Sequence, residues 1–149
     1  MSLRAGGLTG LMNQPSAQVI DGSLKFDISK TQSLQRTFGS GNRKTWTWSC
    51  WIKRSTFGAE QILFNCSTAN NNYNQIYFEP STDCLIWANQ TTATGNGYII
   101  SDKNFRDTGW YHIVAVTDST SQAVNDRAKL YVNGEQITSF SSNTLSVFS

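Results

Sequence analysis

From Thr45 to Lys53 the chain alternates: Trp46, Trp48, Cys50 and Ile52 fall on one side, and Thr45, Thr47, Ser49 and Lys53 on the other. A period of two over this length predicts a strand with one buried face. Trp51 interrupts the pattern by placing a large ring on the polar side. That side is therefore either covered by protein or offers a ring to a ligand. In Trp110–Thr117 both alternating sets are largely apolar, the pattern of a strand inside a sheet covered on both faces. This pattern puts Trp46, Trp48 and Trp110 in the core and reads His112 as a core-edge histidine bonded to backbone. The stretch around Trp46–Ile52 then reads as the central strand that keys two sheets together.

The same reasoning sets out the rest of the chain. Leu24, Phe26 and Ile28 alternate after the Asp21-Gly22 turn signal and predict a strand over 23–28, followed by a short extended piece at 33–38. Further strands are predicted at 61–66, 73–79, 84–89, 98–100 and 127–132, with polar loops over 69–73, 91–97 and 119–125. Asn133-Gly134 stands between Leu130-Tyr131-Val132 and Gln136-Ile137-Thr138, a strong hairpin signal because both turn positions need positive φ. No stretch carries a helical period. Short strands at even spacing predict an all-β, two-sheet antiparallel sandwich. Residues 1–22 have four glycines, counting Gly22, and no sustained period, yet they carry Leu3, Leu8, Leu11, Met12, Val19 and Ile20. They read as an extended docking arm, with the sandwich over 23–149.

Composition narrows the setting. Charged residues are 15% of the 149, whereas Ser, Thr, Asn and Gln together number 56. A net charge of +2 without basic runs gives no electrostatic case for nucleic acid or an anionic membrane. No apolar run has the length of a membrane span and no signal peptide is legible, so synthesis in a cytoplasm without export by that route is expected. Cys50, Cys66 and Cys84 show no Cys-x-x-Cys spacing and are expected to be reduced.

Three segments together carry a resemblance. Trp48-Ser49-Cys50-Trp51-Ile52-Lys53, then Trp110-Tyr111-His112-Ile113-Val114-Ala115-Val116-Thr117, then Leu130-Tyr131-Val132-Asn133-Gly134-Glu135 resemble the concanavalin A-like jelly roll of the laminin G and pentraxin type. More narrowly, Arg36-Thr37-Phe38 with Gly41–Ser49 resembles laminin G-like domains in structural proteins of marine tailed bacteriophages. The resemblance implies a jelly-roll sandwich in a virion structural protein: a tail fibre, head fibre or decoration protein. Such a protein would be anchored to other virion proteins by its arm, self-associated (a trimer if a fibre), and used for adhesion to a host-surface saccharide. A free-standing lectin-like carbohydrate-binding module is the alternative. Family members continue past the Asn-Gly hairpin to further closing strands; residues 142–149 match neither, so an incomplete sandwich is expected at the C-terminus.

The chemistry of the candidates points away from an enzyme. Related glucanases need two carboxylates on one strand face, and Glu60, Glu79 and Glu135 stand alone in their segments. No cofactor is expected. For calcium, which relatives hold on a sandwich edge, Asp83, Asp102, Asp107, Asp118 and Asp126 are scattered through loops without a dense cluster, and Asp107 and Asp118 read more simply as turn residues. Glycan binding needs rings that stack on sugar faces beside amides. The candidates are Trp51, Trp87 and Tyr73 with Asn71 and Asn89, and Tyr77 and Tyr98 offer further rings.

Overall fold

The computed structural model describes residues 22–27, 29–69, 71–92 and 95–144. The docking arm expected over 1–22, with Leu3, Leu8, Leu11, Met12, Val19 and Ile20, lies outside them except for Gly22. The chain divides into two compact units, Met1–Gly39 and Ser40–Ser149. In the first, the strands expected over 23–28 and 33–38 do not form among the described residues. Leu24, Phe26, Leu34 and Phe38 are exposed there instead of facing a core. Asp27 organises the segment differently: its carboxylate accepts hydrogen bonds from the backbone N–H of Ser29 (2.9 Å) and from the Ser29 hydroxyl (2.7 Å). Such local bonding competes with strand pairing wherever the backbone has no neighbouring strand.

Among its described residues the second unit is an antiparallel sandwich of nine strands. One sheet joins β1 (Thr45–Lys53), β6 (Trp110–Asp118), β7 (Ala128–Val132) and β8 (Glu135–Gln136), in the order β1-β6-β7-β8. The other joins β2 (Gln61–Ala69), β3 (Asn72–Phe78), β4 (Cys84–Thr91), β5 (Gly95–Asn104) and β9 (Phe140–Asn143), in the order β2-β3-β4-β5-β9. The described residues contain no α-helix, only a single 3₁₀ turn at Val124–Asp126. The loop expected over 91–97 is largely absorbed into β4 and β5, and near the C-terminus, where the closing strands were expected to be missing, Phe140–Asn143 forms β9 against β5.

Alternation decides which side chains fill the gap between the sheets. Tyr111, Ile113 and Ala115 of β6 and Ala128, Leu130 and Val132 of β7 face Ile76, Phe78, Leu85, Trp87 and Ile99 of the opposite sheet. Trp46 meets the edge of Trp87 at 5.5 Å between ring centroids, and Trp46 and Trp48 both pack on Phe64. Edge-on contacts of this kind add to area burial through the ring quadrupoles. β1 does not have the central place that its tryptophans imply. Among the described residues it pairs only with β6, in unbroken register from Thr45↔Asp118 to Lys53↔Trp110, and it forms the sheet edge. Its inward residues are consequently only half-buried.

Two local devices hold the ends of the sandwich. Asn133 (φ 53°) and Gly134 (φ 85°) form the expected tight turn. The Asn133 side chain also accepts the His112 N–H at 2.8 Å, tying the turn to β6. At the other end Arg54, the next inward position after Ile52, is a fully buried cation. Its Nη2 donates to Asp83 Oδ1 (2.7 Å), its Nε to Gln61 Oε1 (2.8 Å) and its Nη1 to the Phe105 carbonyl. The guanidinium lies 4.2 Å from the centre of the Phe78 ring. Asp83, at φ 57°, also accepts from the Gly58 N–H and from Arg106 Nε (3.0 Å). One carboxylate thus joins the β3–β4 turn to the segments following β1 and β5.

Candidate functional site

The outward side of the five-stranded sheet is built from the positions between the core residues. β3 contributes Tyr73, Gln75 and Tyr77; β4 contributes Ile86, Ala88 and Gln90; β5 contributes Tyr98 and Ile100; and β2 contributes Asn65. An outer sheet face normally carries charged side chains. Yet the only charged residues in these five strands are Asp102 and Lys103, at the far end of β5. Ala88 sits between Gln75 and Tyr98, and its single methyl leaves room for Tyr73 and Tyr98 to reach one another across β4. The two phenols are hydrogen-bonded. Burial, followed by the neighbouring Tyr98, raises the Tyr73 phenol above its ordinary pKa; burial, followed by Glu60, does the same for Tyr77. The Tyr73 and Tyr77 phenols therefore stay protonated at neutral pH and act as both donors and acceptors.

The glycan candidates named from the sequence are not brought together. Tyr73 lies on this outer face. Trp87 is fully buried between the sheets, with its indole N–H donated to Asn74 Oδ1 at 2.8 Å, and offers no ring to solvent. Asn89 belongs to the same inward set of β4, opposite Asn74. Asn71 is exposed in the β2–β3 turn. Trp51, 57% exposed, lies on the outer face of the other sheet, stacked on His112 with centroids 4.9 Å apart. His112 is therefore no core-edge residue, and Trp110, expected in the core, is 50% exposed beside it. Tyr77, Gln75 and Gln90 complete the tyrosine face. Their signal was the strict alternation of β3 and β4, with amides and phenols where charges would be ordinary.

Several carboxylates are held by local hydrogen bonds. The Glu79 carboxylate accepts from the backbone N–H and hydroxyl groups of both Ser81 and Thr82, foremost the Thr82 hydroxyl, and these bonds hold its pKa down to about 2. Asp83 is held low chiefly by Arg54, Asp107 by the Tyr111 hydroxyl and Asp118 by the Thr120 hydroxyl. A glycosidase acid needs the opposite, a carboxyl raised towards neutrality. The remaining calcium candidates are also engaged, Asp102 with the Ser139 hydroxyl and Asp126 with Lys129 Nζ. Among the described residues no three His, Cys, Asp or Glu side chains gather to hold a metal ion. Cys50, Cys66 and Cys84 are free thiols, and burial pushes Cys50 up to about 11.

Two antiparallel sheets, a shared aromatic core and the Asn-Gly hairpin define a concanavalin A-like β-sandwich. Residues 26–148 match the family model Laminin_G_3, described as the concanavalin A-like lectin/glucanases superfamily, and the chain belongs to that family. No curated protein and no solved structure matches it.

Proposed function

We propose that this chain is a non-enzymatic carbohydrate-binding sandwich that takes glycan on the outer face of its five-stranded sheet. The observation that carries the reading is the concentration of Tyr73, Tyr77 and Tyr98 with Gln75, Gln90 and Asn65 on a sheet face whose Ile86 and Ala88 are themselves buried. Rings cover the C–H faces of a sugar, and phenols and amides exchange hydrogen bonds with its hydroxyls. Membership of a lectin and glucanase superfamily supports the reading, and the depressed carboxylates favour binding over hydrolysis. On a glycan array followed by titration calorimetry, Tyr98→Ala and Tyr77→Ala should each weaken binding about tenfold, roughly 1.4 kcal/mol. Trp51→Ala, on the opposite sheet, should leave it unchanged. Equal affinity in all four proteins would remove the tyrosine face from consideration.

A setting on a tailed-phage virion is supported by the resemblance of Arg36–Phe38 and Gly41–Ser49 to phage structural proteins. The second aromatic face, around Trp51, His112 and Trp110, favours it further by leaving a separate surface for a neighbouring protein. In that setting the protein is a fibre or decoration component, made in the host cytoplasm and self-associated, that presents the sandwich to a host-surface saccharide. Deleting residues 1–20 should then strip it from purified virions. Retention at normal copy number would sink the anchoring role and favour a free-standing lectin-like module.

A further inference from the structure

We infer that the glycan bound by the tyrosine face is an uncharged oligosaccharide chain rather than a uronate- or sulfate-bearing one. This rests on the reading of that face as the glycan site and adds the chemical class of the ligand.

The distribution of charge carries the inference. The sandwich unit's cations lie elsewhere. Arg43 and Lys44 immediately precede β1, Lys53 ends it and Lys129 is in β7, both of these strands belonging to the four-stranded sheet. Arg54 and Arg106 are committed to Asp83, and Arg127 donates to the Ser121 carbonyl (2.9 Å). Lys103, the only cation within the five strands, is drawn over the Phe105 ring (5.6 Å), and its neighbour Asp102 is bonded to Ser139. What charge the face does feel is negative, because Glu60 and Glu79 both act electrostatically on Tyr77. Recognition of sulfate or carboxylate calls for bidentate arginines or clustered lysines. An anionic chain placed here would find none and would meet two carboxylates at one end. A neutral chain loses nothing by that arrangement and finds phenols and primary amides, each both donor and acceptor.

The spacing of the phenols sets the length of the ligand. Tyr73 and Tyr77 are four residues apart on one strand, about 13 Å at the ordinary strand rise, which exceeds a single hexose. Tyr98 stands across Ala88 from Gln75 and is the diagonal neighbour of Tyr73. Contacts with all three rings need a chain of several sugars.

The experiment uses the full chain against two panels immobilised at equal density. One panel holds neutral hexasaccharides, including methyl-esterified oligogalacturonate. The other holds their charged counterparts, free oligogalacturonate and a heparin hexasaccharide. Binding is read from about 20 mM to about 500 mM NaCl, a range over which the screening length falls severalfold. The expected result is binding confined to the neutral panel, changing less than twofold with salt and weakened about threefold by Tyr98→Phe, which removes only the hydroxyl. Gln90→Lys should confer new, salt-sensitive binding of the charged panel. Preference of the unmodified protein for the charged panel, lost as salt rises, would overturn the uncharged class while leaving the glycan reading standing. Silence on both panels would overturn the glycan reading itself, and the class with it.

Discussion

Asp83 concentrates much of the fold's polar energy in one carboxylate. It is nearly inaccessible to solvent, accepts from two arginines and the Gly58 amide, and adopts positive φ at the end of the β3–β4 turn. Breaking a buried pair by removing one charge is costly because the partner stays desolvated. Asp83→Asn should therefore lower the unfolding free energy by about 3–5 kcal/mol in urea titrations, and a loss below about 1 kcal/mol would mean that Arg54 finds water or another acceptor. The pH dependence has a definite sign. Because the folded-state pKa lies below the ordinary carboxylate value, the contribution is complete above that value and disappears as pH falls through the folded one. The wild type should lose stability across that acid window, and Asp83→Asn should lose less. Nothing local announced this site, since Arg54 and Asp83 are 29 residues apart. The one legible sign was that Arg54 continues the inward series of Trp46, Trp48, Cys50 and Ile52.

At the scale of elements, alternation and turn chemistry were dependable, whereas neighbour relations were not. Asn133-Gly134 announced its hairpin because its backbone requirement is local. Gly134→Ala should cost about 1 kcal/mol in thermal melts, and Asn133→Ala should cost more, because the side-chain bond to His112 is lost with the turn residue. A variant pair that melts like the wild type would show that the hairpin is dispensable. The edge position of β1 was illegible for a physical reason: an edge strand and a central strand share the same period of two, and only the pairing distinguishes them. The same ambiguity misplaced Trp110 and His112. Val114, Val116 and Tyr131 continue their side of the sheet as half-exposed groups, so an apolar outward set did not mean a covered one. The 23–28 segment had a strand's pattern but no strand to pair with among the described residues.

Within the sandwich unit the two sheets present unlike outer faces, one tyrosine-bearing and poor in charge, the other edged by lysines and carrying a tryptophan–histidine stack. Fold class was readable from composition, strand spacing and family likeness together. The site was readable only in part, because Tyr73, Tyr77 and Tyr98 come from two strands separated in sequence by β4, and their convergence depends on a register that places the small Ala88 between Gln75 and Tyr98. The division of the tryptophans has an optical consequence. Trp87 is sealed and Trp46 and Trp48 are half-shielded, whereas Trp51 and Trp110 stand in solvent on one face. A water-borne quencher such as iodide therefore reports mainly on the four-stranded side. A protein settling on that side would restore the emission of Trp51 and Trp110, whereas a sugar held on the other side would leave them quenched, so unlabelled protein can reveal which of its two faces is occupied.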